Sequence, residues 1–218
     1  MLLTLDEAAR MLGVAEKDVL LWIRKEGLPA TLIDDRYEVN RMDLLEWATG
    51  RQIPVPPELL AGAGTEAAAL PSLREALEAG GIRFDVPGDD RESVLRNVVG
   101  LLPLPAGVDP AFILEVLLAR ERAGATGVGN GIAIPHVRHP ILLPMAVPAV
   151  TLCFLRNGVD FDAPDGLPVR ILFTLTTPTV RTHLHLLSRL AHALRDREFR
   201  EAIARPGDAA AILAAIPG

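Results

Sequence analysis

The stretch Arg120-Glu-Arg-Ala-Gly-Ala-Thr-Gly-Val-Gly-Asn-Gly-Ile-Ala-Ile-Pro-His136 decides how this chain is read. An apolar helix ends in charge, a glycine-rich loop follows, and the short β-type run Ile132-Ala133-Ile134 stops at Pro135-His136. Gly124, Gly127, Gly129 and Gly131 accept positive φ at little cost, so they can turn backbone N–H groups toward one point. Such a nest suits an anion. Imidazole is the side chain that can be an unprotonated nucleophile near neutral pH. A histidine beside an anion cradle points to phosphoryl transfer, provided that the ring is reachable, uncharged and ringed by donors. From spacing alone, a plain glycine loop beside a hydrogen-bonded strand-end histidine fits equally well.

The loop is not a common nucleotide signature. A Walker loop needs Lys then Ser/Thr after its last glycine, and Asn130-Gly131 follow Gly129 instead. A dinucleotide fingerprint needs a glycine where Ile132 stands. The segment Arg120-Glu121 with Thr126 through His136 does resemble the active-site signature of phosphotransferase-system enzyme IIA domains of the fructose/mannitol/nitrogen-regulatory class. The resemblance runs from about Leu73 to Ile216. It includes Val159-Asp-Phe-Asp-Ala-Pro-Asp-Gly166 and His183-Leu-His-Leu-Leu-Ser-Arg-Leu-Ala191.

It implies that His136 accepts a phosphoryl group from a phosphohistidine carrier of the HPr type, with Arg120 and His183 lining the site. Thr126, Gly127, Gly129, Asn130 and Gly131 would form the phosphate-binding loop. The downstream partner would be a regulated protein or an enzyme IIB; the alternatives are a sugar-uptake enzyme IIA component with a vestigial N-terminal domain, and a DNA-binding transcription regulator whose IIA-like domain is a sensor. Transfer between histidines needs no nucleotide, and the sequence has no acidic cluster for magnesium, so no cofactor is expected.

The 218 residues suffice for one ordinary domain plus a small one, and 50% are hydrophobic. A net charge of -6 argues against nonspecific nucleic-acid or anionic-membrane binding. The single cysteine, Cys153, excludes an internal disulfide and sits in the apolar run Ala149 to Leu155, where a buried, inert thiol is expected. No stretch approaches the ~20 apolar residues of a membrane span, and no signal sequence is evident. A cytoplasmic protein without membrane insertion is expected.

Residues 1–51 read as a small unit. Thr4 and Glu7 form a capping box ahead of a helix that Gly13 ends, and a second helix runs from Glu16 to about Glu26, burying Val19, Leu20 and Ile23. Thr31 to Val39 reads as a hairpin around Asp34-Asp35, and a short helix follows from Asn40 through Trp47. Helix, turn, helix, wing, helix resembles the winged helix-turn-helix of the MerR/excisionase class. That resemblance implies DNA binding through Lys17, Arg24 and Lys25 on the second helix and Arg36 on the wing. Charge opposes it: the unit carries seven basic side chains against ten acidic ones, with Glu16 and Asp18 at the start of the second helix. A compact docking module is the alternative. Residues 52–71, rich in Pro, Gly and Ala, read as a linker.

Residues 72–218 read as an α/β domain, a mixed central sheet flanked by helices. Ser72 opens a helix that closes at Gly80-Gly81, Ile82 to Val86 is a strand, and Asp89 caps a helix with Glu92 at the box position. Asp109-Pro110 starts another, and its run Phe112 to Leu118 is so apolar that burial is expected. Ala149–Leu155 and Pro168–Thr176 read as central strands, with a turn at Asn157-Gly158. Thr182 to Glu198 and Ala209 to Ala215 read as helices. At about 100° per residue His183 faces inward with Leu186, Leu187 and Leu190, whereas His185 shares a polar, solvated side with Arg189 and His192. The two make a poor ligand pair, and no metal site is expected. Arg138 and His139 read as rim residues.

Overall fold

The computed structural model describes residues 2–33, 36–51, 53, 70–136, 147–205 and 207–217. The Asp34-Asp35 turn, nearly all of the expected linker, and Arg138 and His139 lie outside these residues. The chain forms two compact units, Met1–Ala67 and Ala68–Gly218.

In the first unit, strand β1 (Leu2–Thr4) leads into α1 (Leu5–Leu12), then α2 (Glu16–Lys25), β2 (Thr31–Ile33), β3 (Arg36–Asn40) and α3 (Arg41–Gly50). Thr4 caps α1 in the expected box: Glu7 N–H donates to its hydroxyl, and Thr4 N–H donates to the Glu7 carboxylate at 2.8 Å. Gly13 ends α1 at φ 66°. The sequence reading passed over β1, which pairs antiparallel with β3 and makes the hairpin a three-stranded sheet in the order β1-β3-β2. A three-residue strand carries too few alternations to be seen as a pattern. In α2 only Val19 is fully buried, and Leu20 and Ile23 are half-buried. The unit closes on Leu3, Ala8, Val39, Leu44 and Leu45, with Trp22 tilted against Trp47 at 5.0 Å.

The second unit is built on a five-stranded mixed sheet. Its elements are α4 (Leu73–Gly80), β4 (Ile82–Val86), α5 (Arg91–Val99), α6 (Pro110–Arg122), β5 (Gly127–Gly129), β6 (Ile132–Ala133), β7 (Ala149–Val159), β8 (Val169–Thr176), α7 (Val180–Ala193), α8 (Arg197–Ala204) and α9 (Ala209–Ala214). Strand order is β4-β7-β8-β6-β5. β4 runs parallel to β7 and β6 to β8, while β7–β8 and β5–β6 are antiparallel. Val150, Leu152, Phe173 and Leu175 pack one face of the sheet against α4, α7, α8 and α9. Cys153, Leu155, Leu172 and Ala133 pack the other face against α5 and α6. The central strands are thus covered on both sides, which is why their sequences are continuous apolar runs. Cys153 is 0% exposed, and burial pushes its thiol up to about 12.

Four local expectations are corrected. Asp90, not Asp89, caps α5: its carboxylate accepts Ser93 N–H at 2.7 Å. On α6 Ile113, Leu114 and Leu117 are buried, but Phe112 is 50% exposed, so the apolar run is not wholly internal. β7 continues past Asn157-Gly158 to Val159, which pairs with Val169 after a register shift that begins beyond Phe154, so the pair sits in an irregular stretch of β7 and not in a turn between two strands. The C-terminal helix breaks after Ala193, because Asp196 caps a new helix by accepting Phe199 N–H at 2.9 Å.

Candidate functional site

The glycine-rich loop is a β-hairpin. Gly127 pairs with Ala133 and Gly129 with Ile132, and Asn130 and Gly131 turn the chain with φ of 54° and 72°. Positive φ at both central residues is the type I′ arrangement, for which Asn-Gly is the favoured pair. This corrects the expected nest of amides. Asn130 N–H is already engaged, donating to the Asp165 carboxylate at 2.6 Å. Thr126 N–H and hydroxyl donate to buried Glu121, at 3.2 and 2.5 Å. Gly127, Gly129, Asn130 and Gly131 answer to strand pairing and turn geometry instead.

Register separates the hairpin's tip from the histidine. Ile132 pairs with Ile171, and His136 bridges Leu175, four residues further along both chains. At about 3.3 Å per residue that is about 13 Å along the sheet. Gly129, Asn130 and Gly131 therefore lie at the far end, and only Thr126 lies toward His136, its carbonyl accepting Ile134 N–H at 3.0 Å.

His136 and His183 do come together. Their ring centroids are 5.2 Å apart, with planes inclined by 39°. β6 and its extension deliver the first. The second is the fourth residue of α7, turned inward with Leu186, Leu187 and Leu190. Thr179 caps that helix by accepting Thr182 N–H at 3.2 Å, and His183 Nδ1 lies 3.4 Å from Thr177 Oγ1. The site thus sits where β8 ends and α7 begins, under the positive end of a helix whose first N–H groups have no intrahelical acceptor.

His136 Nδ1 lies 2.6 Å from the Ile134 carbonyl oxygen. That acceptor fixes a proton on Nδ1 in the neutral ring and leaves the lone pair on Nε2. The expectation of a reachable ring is corrected: His136 is 4% and His183 2% exposed, so chemistry with another protein requires His136 to be uncovered.

Arg120 stands at the end of α6 and donates from Nη1 to the Gly124 carbonyl at 2.7 Å, which ties it to the start of the loop. Lys17, Arg24, Lys25 and Arg36, in the first unit, are all exposed. His185 does not sit on a solvated face. It is half-buried with Nε2 3.0 Å from the Pro71 carbonyl oxygen, and burial lowers its pKa below the usual value.

Glu121, for which the sequence suggests no role of its own, roots the site. Its carboxylate takes two Thr126 donors, Thr126 takes Ile134 N–H, and Ile134 takes the His136 ring. A single carboxylate on the buried side of α6 was the signal, since a buried charge must have partners.

Comparison with known proteins assigns each unit to a family. Residues 2–52 match a helix-turn-helix domain family. Residues 75–217 match the family described as phosphoenolpyruvate-dependent sugar phosphotransferase system, EIIA 2. A nitrogen regulatory protein of Pseudomonas aeruginosa is 41% identical over 133 residues, which cover 59% of this chain and 84% of that protein. A fructose-specific EIIA component of Haloferax volcanii is 39% identical over 125 residues, 55% of this chain and 78% of its own. The crystal structure of nitrogen regulatory protein IIA-Ntr from Neisseria meningitidis superposes with a TM-score of 0.55 at 31% identity, covering 66% of this chain and 94% of that one. Among the described residues no helix is long and apolar enough to cross a membrane. Since the family match runs from within α4 through α9 and takes in every strand of the central sheet, the chain belongs to the phosphoenolpyruvate-dependent sugar phosphotransferase system EIIA 2 family.

Proposed function

We propose that this chain is a phosphohistidine carrier and regulator that accepts a phosphoryl group on Nε2 of His136 from an HPr-type phosphocarrier. The observation that carries the reading is the pairing of His136, its Nδ1 held on the Ile134 carbonyl, with His183 at the start of α7. Nε2 attacks the phosphorus in line. The new N–P bond forms as the donor's N–P bond breaks, and that bond's electron pair returns to the donor imidazole. Positioning and electrostatics supply the catalysis. His183, Arg120 and the α7 N-terminus hold the equatorial oxygens, a role the hairpin tip is too distant to share. Because His136 is covered, docking of the donor uncovers it.

A regulatory role is favoured over sugar uptake by the first unit, which matches a helix-turn-helix family and gives the phosphoryl signal an output. Lys17, Arg24, Lys25 and Arg36 are its candidate DNA contacts, and its acidic balance makes that contact weak and salt-sensitive. An enzyme IIB or a regulated protein receives the signal.

Incubation with phosphoenolpyruvate, enzyme I and HPr is expected to place one acid-labile phosphate on His136 and none on a His136→Ala protein. Equal uptake by that variant would end the proposal. A gel shift with random-sequence duplex at low salt tests the output separately. A retarded band lost in Arg24→Glu/Lys25→Glu supports DNA contact, and no band assigns the unit to protein docking.

A further inference from the structure

Arg91 is a cation that the proposed transfer does not use, and it stands where two supports of the phosphoryl site meet. It is the first residue of α5, a position at which the helix dipole disfavours positive charge. Contacts outside the helix hold it there. Nε donates to the Asp160 carbonyl at 3.0 Å, and Nη1 donates to the Asp162 carboxylate at 2.9 Å. The guanidinium carbon lies 5.6 Å from the centre of the ring of Phe161, a fully buried side chain. Asp162 has a φ of 49°, in a region that non-glycine residues seldom enter, and its N–H donates to the Asp160 carboxylate at 2.8 Å. Arg91 thus clamps a tightly turned loop.

That loop is one support. A Cβ on Gly127 would come within 2.8 Å of the Ala163 Cα, so the loop lies directly against the start of β5. The other support is α6. Arg91 Nη1 is 3.9 Å from Oε1 of Glu121, and among the described residues no other cation pairs with that buried carboxylate. A buried charge needs a counter-charge. At this distance Arg91 supplies one without displacing Thr126, whose N–H donates to Oε1 and whose hydroxyl donates to Oε2. From Thr126 the hydrogen bonds run through Ile134 to Nδ1 of His136. One guanidinium therefore secures both the acid that holds Thr126 and the loop that packs on Gly127.

We propose that Arg91 is a positioning residue for phosphoryl transfer. By balancing Glu121 and clamping the loop, it keeps the Ile134 carbonyl on Nδ1 of His136 and the lone pair on Nε2. It acts through Glu121 and touches no reacting atom. The proposal rests on His136 as the acceptor, but the first of its two readouts does not.

The full chain is compared with Arg91→Met, Arg91→Lys, Asp162→Asn and Arg96→Met, the last a control that removes an exposed ion pair with Glu92 on the same helix. The first readout is the imidazole ¹⁵N spectrum of unphosphorylated protein, which reports the ring nitrogen that carries the proton. Wild type and Arg96→Met should hold it on Nδ1 of His136, and Arg91→Met should show a mixture of tautomers. The second is rapid-quench uptake from phosphorylated HPr. Arg91→Met should lower the saturating rate at least about tenfold and change the half-saturating HPr concentration less than about twofold, the pattern of a misplaced group and not of lost docking. Arg91→Lys keeps the charge and should recover most of the rate. Asp162→Asn loosens the clamp with a residue that tolerates positive φ, and should give a smaller change of the same kind in both readouts. Should Arg91→Met not fold, Asp162→Asn decides by the same measures. A wild-type tautomer in the deciding variant, a loss confined to half-saturation, or an equal loss in Arg96→Met overturns the proposal. If wild type takes up no phosphate on His136, the reading beneath it fails, and the tautomer still decides whether Arg91 positions the ring.

Discussion

The two ends of the β5–β6 hairpin follow opposite rules. At one end Thr126 is buried, and both its donors go to an equally buried carboxylate, Glu121. At the other, Asn130 is exposed and its N–H goes to the exposed Asp165. The glycines differ in the same way. A Cβ on Gly127 would come within 2.8 Å of the Ala163 backbone, so that glycine exists for close packing. Gly129 and Gly131 have φ of 92° and 72° and exist for the turn. One glycine-rich sequence thus serves two purposes, and the chemistry proposed for His136 belongs to the packed end.

Substitutions at each end should separate these purposes, and Glu121→Ala should have the largest effect. It removes the acceptor of Thr126 N–H and hydroxyl and leaves both donors buried. Arg91, 3.9 Å away, retains Asp162. A loss of about 3 kcal/mol is expected in denaturant unfolding. Uptake of phosphate from HPr should slow as well, because Thr126, Ile134 and His136 are linked in series. Glu121→Gln keeps one oxygen acceptor and should recover part of both. Unchanged stability and uptake in Glu121→Ala would break the contrast between the ends.

Gly127→Ala tests close packing at the same end. Its methyl group meets backbone, which cannot swing aside, so a cost of about 2 kcal/mol is expected. Gly131→Ala tests the turn. Its nearest obstacle is the Pro168 carbonyl oxygen at 3.4 Å, so the cost is conformational, about 1 kcal/mol for a left-handed L-residue. Uptake should fall in Gly127→Ala and hold in Gly131→Ala. The reverse order would return the turn to the phosphoryl site.

The contrast also explains what could be read without coordinates. The chain has two Asn-Gly pairs of interest, and local reading interpreted both wrongly. Asn130-Gly131 is the hairpin turn, concealed by glycines on either side that suggested an anion nest. Asn157-Gly158 looked like a turn but lies within β7. There Asn157 donates to Asp89 at 2.8 Å, and a Cβ on Gly158 would crowd Pro168. Pairing of Val159 with Val169 beyond a register shift keeps the segment on β8, so tertiary contact overrides the dipeptide's preference for a hairpin turn.

Some caps were legible from neighbouring residues, as at Thr4-Glu7 and Asp109-Pro110, whereas Asp90-Ser93 and Asp196-Phe199, at the same short spacing, were not. The inward turn of His183 was legible from helical periodicity. Its contact with His136, 47 positions earlier in the sequence, follows from strand order, which no local pattern encodes. Burial of His136 was likewise hidden, because it depends on everything packed around the end of β8.

Asp165→Asn should produce the smallest effect, visible only on acidification. The N–H of Asn130, and after it that of Leu167, holds the Asp165 carboxyl below its ordinary value. A carboxyl depressed by folding stabilises the protein above its unfolded-state pKa, about 3.9, and that contribution disappears as pH falls through the lower folded value. Wild-type protein should therefore lose an increment of stability below about pH 4 that Asp165→Asn does not lose, and the two unfolding curves should converge in acid. At neutral pH the variant should be slightly less stable, since a neutral amide oxygen is a weaker acceptor for Asn130 than a carboxylate. Phosphate uptake should be the same in both, because Asp165 holds the end of the hairpin remote from His136. A variant that unfolds normally but takes up phosphate more slowly would mean that the turn end reaches the phosphoryl site after all.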